Sequence, residues 1–129
     1  MKFIFLLSVL LTSGVVFAAQ PLDLEATMKE MGLAYKQTVQ AGELTEFNSA
    51  IDEFITLLKK TQAADFKNHQ AESAQGIKKV IVKAQLAKRL ANEQGLDAAV
   101  GPLKAIDGLR KQYHELHEPP GFWQLLFGK

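Results

Sequence analysis

Residues 44–58 read LTEFNSAIDEFITLL, and their large apolar side chains fall at Leu44, Phe47, Ile51, Phe54 and Leu58. The steps are three, four, three and four. That is the period of a helix with one apolar face, and it does not match the alternation of a half-buried strand. The pattern fades at about Gln62. Upstream, Leu24, Met28, Met31, Tyr35 and Thr38 or Val39 repeat the same spacing, with Asp23 as a candidate N-cap and Gly42 as a candidate stop. Downstream, Ile77, Val80, Ala84, Ala87 and Ala91 form a third stripe, widened by Ile81 and Leu90 and ended by Gly95. A fourth segment runs from Leu96 to about Glu118, with Leu96, Ala99, Val100, Leu103, Ile106 and Tyr113 on one side. Pro102 lies inside it and removes a backbone hydrogen bond, so a kink or a loosened first turn is expected; Pro119 and Pro120 end it.

Four amphipathic segments with short connections at Gly42 and Gly95 predict an all-α fold, an antiparallel up-down-up-down four-helix bundle. Residues 63–76 are polar and irregular, with Phe66 their only large apolar residue, and read as a long connection fraying into the next helix. No solenoid period is present.

The two ends of the chain read differently. Residues 1–18 hold 13 apolar side chains and one charge, Lys2, and lead into the small pair Ala18-Ala19. A basic start, an apolar run and a small-residue exit describe a secretory signal peptide cut after Ala18. The run is short for a membrane span of about 20 residues. Residues 19–118 are then the bundle. Residues 119–129 form an apolar, aromatic tail, with Phe122, Trp123, Leu125, Leu126 and Phe127 in six positions. Such a tail either folds back on the bundle or docks to a membrane surface or partner.

Composition excludes several functions. The chain has 129 residues and no cysteine, which removes disulfide scaffolds, thiol chemistry, iron–sulfur clusters and covalent haem attachment through C-x-x-C-H. Loss of the leader leaves 14 basic and 14 acidic residues. Such a neutral chain lacks the basic excess of a nucleic-acid binder.

Polar side chains interrupt the apolar stripe at one place. At about 100° per residue, His114 points the same way as Leu96, and Arg110 and His117 lie within about 60° of it. In an antiparallel bundle this end of the fourth helix is level with the start of the first, where Met28 sits mid-stripe. A thioether and an imidazole across a low-dielectric pocket are a haem-iron ligand pair. The same residues have plainer readings: Met28 as packing material, His114 as a complement to the helix dipole, Arg110 as a solvated side chain. His114 and His117 are also three apart, a weak transition-metal pair.

Two stretches carry a resemblance. Leu22-Asp23-Leu24-Glu25-Ala26-Thr27-Met28 resembles the opening of the soluble periplasmic cytochrome b562 family, and Leu90-Ala91-Asn92-Glu93 with Arg110-Lys111-Gln112-Tyr113-His114 resembles its last helical hairpin. The resemblance covers about residues 22–118. It implies one non-covalent haem b near one end of the bundle, with Met28 and His114 as iron ligands, Leu24 lining the pocket and Arg110 near a haem edge. It also implies a periplasmic electron carrier and no enzymatic step. Arg110 and Tyr113 stand where the related cytochromes c-prime carry cysteines, so attachment would be by ligation, burial and shape. The chain departs from the family in its shorter second connection and in Ser73 and Ile77, where the family places a phenylalanine against the haem. Phe66 is the candidate substitute. Glu118 stands where the family has a basic residue, and weaker haem retention is expected.

The expected partners are unidentified redox proteins, with no nucleic acid and no stable membrane span in the mature form; the expected state is a monomer. The rival readings are a haem-free helical adaptor of the cell envelope that uses the aromatic tail, and a small metal-handling protein that uses His114 and His117.

Overall fold

The structure, a computed structural model, describes residues 22–114. Asp23 caps the first helix: its carboxylate accepts the Ala26 N–H at 3.1 Å, and α1 runs Leu24–Gln40. Three residues then connect it to α2, Leu44–Thr61. The chain next passes through residues 62–69 into α3, Gln70–Gln94. Gly95, at φ +100°, ends α3 in a conformation that glycine adopts without strain. A 3₁₀ turn, Leu96–Ala99, leads into α4, Val100–His114. Pro102 sits in the first turn of α4, just after that 3₁₀ turn, so the loosened start expected from the proline is what forms.

The described residues contain four α-helices and no strand, and they form the all-α four-helix bundle read from the sequence. Neighbours in sequence pack as neighbours in space: α1 on α2, α2 on α3, α3 on α4. Cross-helix pairs give the direction. Asn48 bonds Asn92 and Asp52 meets Lys88, so α2 and α3 run antiparallel. Phe54, Ile51, Leu57 and Leu58 of α2 are almost fully buried and form the centre of the core, with Met28, Met31 and Ala34 on one side and Ile77, Ile81, Ala84, Ala87 and Ala91 on the other. Each fully buried large apolar side chain is worth about 1.5–3 kcal/mol of transfer free energy. Buried hydroxyls do not interrupt this core. Thr27, Thr38 and Thr61 each donate to the carbonyl four residues back, so no polar atom among them is left bare.

Three details differ from the sequence reading. Helix α3 begins at Gln70, so residues 70–76 are helix and the connection is only residues 62–69. The early turns bury Ser73 and Gly76, small residues that continue the Ile77 stripe without looking apolar. The connection is held by the Gln70 side chain, which accepts the Phe66 N–H and donates to the Ala64 carbonyl, both at 2.8 Å. Val100 is exposed, because the buried line of the last segment runs through Ala99, Leu103 and Ile106, and the next residue after Ala99 points about 100° away. In α1 the buried alternative is Thr38, and Val39 is exposed; Leu44, at the start of α2, is exposed as well. The proposed leader (residues 1–18), His117, Glu118 and the tail (residues 119–129) lie outside the described residues.

Candidate functional site

The bundle has one loose seam. Helices α1 and α4 meet far less closely than the sequential pairs do. A specific contact joins them: the Tyr35 hydroxyl donates to the Leu103 carbonyl at 3.0 Å, while the Tyr35 ring lies 5.5 Å from the Phe54 ring, tilted by 53°. This contact fixes the register of the seam. Counting about 1.5 Å per residue from it, Met28 of α1 and Arg110 of α4 both lie seven residues, or roughly 10 Å, towards the same end. Four residues further on each helix, Leu24 faces the level of His114. The structure thus brings Leu24, Met28, Arg110 and the His114 position to one end of one seam.

Each of these residues has a local reason for its place. Met28 is 3% exposed and stands on the inward face of α1 beside Met31. Leu24 is half-buried against the core in the turn that Asp23 caps. Arg110 continues the Leu103–Ile106 line, and its side chain is 22% exposed. Its Nε and a terminal guanidinium nitrogen both meet Asp107 Oδ1 at 3.0 Å, and Lys111 reaches Oδ2 at 3.2 Å. The half-buried guanidinium is therefore balanced within its own helix. His114 closes α4 as its last described residue.

The same end contains supporting side chains. Phe66 packs against the core from the α2–α3 connection. Tyr113 lies against α3 so closely that a Cβ on Gly76 would come within 3.0 Å of its ring, which is why a residue without a side chain stands there. The Lys79 ammonium sits 5.9 Å from the centre of that ring and 3.4 Å from its hydroxyl.

Electrostatics links the seam to this end. Burial holds the Tyr35 phenol above its usual range; the charge of Asp107 adds to that and the charge of Arg110 opposes it. Partial burial raises the Asp107 carboxyl, but hydrogen bonds from Arg110 and Lys111, with their charges, outweigh it and leave the group below its usual value. Sequence reasoning named Arg110 and missed Asp107, although an Asp–Arg pair at i,i+3 on a helix is a legible signal. It also missed the Tyr35–Leu103 link, which joins residues 68 positions apart and has no sequence signature. Among the described residues, no three His, Asp or Glu side chains come together in a way that could hold a metal ion.

The model of one family, described as cytochrome b562, matches residues 23–118. The chain belongs to the cytochrome b562 family. The match includes all four helices and all four candidate residues, Leu24, Met28, Arg110 and His114. The family consists of periplasmic, haem-binding electron-transfer cytochromes rather than enzymes. No curated protein and no solved structure matches the chain. No helix of the described residues is long and apolar enough to cross a membrane.

The donor set suits haem b. Met28 is a buried thioether seven residues, about two turns, from Tyr35 on the same face of α1, and α4 ends at His114. The absence of cysteine leaves no thiol for covalent attachment. Arg110 already shares its charge with Asp107, so a haem carboxylate near it would compete with that pair.

Proposed function

We propose that this chain is a periplasmic electron carrier holding one haem b non-covalently in the α1–α4 seam, with Met28 and His114 as axial ligands, Leu24 on the pocket wall and Arg110 near a haem edge. The observation that carries the reading is the convergence of these positions at one end of the only loosely packed pair of sequential or closing helices. Haem supplies a one-electron couple that no side chain of this protein offers. The protein's part is to hold two donors of unlike softness. Imidazole donates well in either oxidation state, and the thioether favours the ferrous state, which raises the potential. With Met28 and His114 both donating to it, the group would offer no open site for oxygen or peroxide chemistry. Both donors would stand on helices of one bundle, so little would need to move when the charge changes. The leader-like residues 1–18 support export to the periplasm.

Titration of the purified chain with haemin, followed by absorption spectroscopy, tests this. The expected result is saturation at one equivalent, with an intense Soret band and sharp visible bands after reduction. Met28→Ala should keep haem but turn it high-spin and lower its potential. His114→Ala should lose haem more readily. A chain that stays colourless overturns the reading. Loss of low-spin ligation on replacing His117 instead of His114 would reassign the histidine.

A further inference from the structure

The neutral overall charge conceals a segregation. Residues 22–61, which make up the first hairpin, carry four basic and seven acidic side chains; residues 70–114, the second hairpin, carry eight basic and four acidic. The basic half is not uniform either. An open groove of about 630 Å³ runs between α3 and α4 on their outer side. Lys78, Lys79 and Lys83 line it, Val82 and Leu109 provide apolar surface, Gly108 leaves room, and among the described residues no acidic side chain borders it. Val82 is 56% exposed, an unusual place for a valine. None of the three lysines is in an ion pair among the described residues, and Lys79 is held over Tyr113.

The position of the groove matters. Leu109 and Gln112 line it from the same turns of α4 that present Arg110 to the seam and end at His114. The groove and the candidate site therefore lie back to back across one helix, a thickness of about 10 Å.

We infer that this α3–α4 groove is the docking surface for an acidic protein partner. The inference takes its redox setting from the proposed haem function, but the surface itself does not depend on haem. Carboxylates of the partner would meet Lys78, Lys79 and Lys83, and an apolar side chain would enter over Val82 and Leu109. Charge complementarity of this kind steers encounter and fixes orientation, and a small, partly polar patch suits the brief complexes of electron transfer. The groove is recessed and has three lysines; membrane-binding basic clusters usually present four to eight charges to a flat surface.

The test is a titration of the ¹⁵N-labelled chain from Ala19 onward, with one equivalent of haemin, against a purified flavodoxin as the acidic redox-protein probe, followed by amide shifts at low salt. Shifts should cluster in residues 75–83 and 105–112 and weaken at least tenfold in affinity between about 20 and 200 mM salt. Lys78→Glu with Lys83→Glu, which leaves the Lys79–Tyr113 contact in place, should lower affinity at least tenfold. Glu46→Lys with Glu53→Lys, on the acidic hairpin, should not lower it. Shifts elsewhere, an unchanged affinity in the lysine variant, or binding to phosphatidylglycerol vesicles with none to flavodoxin overturns the inference. So does binding that occurs only after residues 119–129 are removed, because the tail would then be the occupant. A chain that docks flavodoxin through this groove yet takes up no haem keeps the surface and loses the proposed cofactor.

Discussion

Tyr35 shows how much a single side chain settles in this molecule. Its hydroxyl joins α1 to α4 through the Leu103 carbonyl, and its ring packs on Phe54. Tyr35→Phe should cost about 1 kcal/mol at pH 7, the net worth of one hydrogen bond. It should also change the alkaline limb of stability. The folded phenol is held above its usual value, so its contribution is complete below about pH 10 and is lost as pH rises through the folded value. Urea unfolding at pH 7 and at rising alkaline pH checks both effects: the wild type should lose stability above pH 10 more steeply than the phenylalanine variant. Asp107 works in the opposite direction. Its carboxyl is held below the usual range, so its contribution is present above about pH 4 and disappears as pH falls through the folded value. Because the side chain is more than a third exposed, Asp107→Asn should cost only ~0.5 kcal/mol at pH 7 and nothing in strong acid, read by the same unfolding curves. Met28 was legible as a stripe residue, and its burial follows from that. That Arg110 would be engaged by Asp107 also lay within reach of an i,i+3 reading.

At the scale of the element, large apolar residues marked the helices well and small ones marked their ends poorly. The Phe47–Ile51–Phe54–Leu58 line placed α2 within a residue or so of its bounds because bulky side chains carry the periodic signal. Helix α3 starts at Gln70, seven residues before its first large apolar residue, Ile77, because the small residues Ser73 and Gly76 are the ones buried in its early turns, and at Gly76 the ring of Tyr113 leaves no space for bulk. The fourth segment reads from sequence as one helix with a weak start, and the structure has a separate 3₁₀ turn, Leu96–Ala99, at that start. Two glycines give opposite predictions. Gly108 lies inside α4 with open space where a Cβ would sit, so Gly108→Ala should raise stability by ~0.5–1 kcal/mol through helix propensity. Gly95 holds φ +100°, where an L side chain is strained, so Gly95→Ala should cost ~1 kcal/mol or more. Thermal unfolding followed by far-UV circular dichroism reads both; a matching sign for the two variants would contradict the assigned roles.

For the whole molecule, the order of packing is the informative feature. Three helix pairs pack in sequence, and the closing pair, α1 with α4, is the loose one, pinned at Tyr35 and Leu103. The bundle and its topology were readable because short connections force antiparallel neighbours. The open seam was not, since no residue type announces that two amphipathic helices will stay apart. The central claim is that a sulfur and an imidazole from the two sides of that seam share one iron atom. The chain has three methionines, Met1, Met28 and Met31, so from Ala19 onward only two methyl thioethers remain. Labelling them with ¹³C and recording the methyl spectrum of the reduced, haem-loaded protein tests the claim most directly. One methyl, identified by its loss in Met28→Leu, should move far upfield under the ring current of the porphyrin while the Met31 methyl stays near its ordinary position. Two methyls at ordinary positions, or a shifted methyl that survives Met28→Leu, would contradict it.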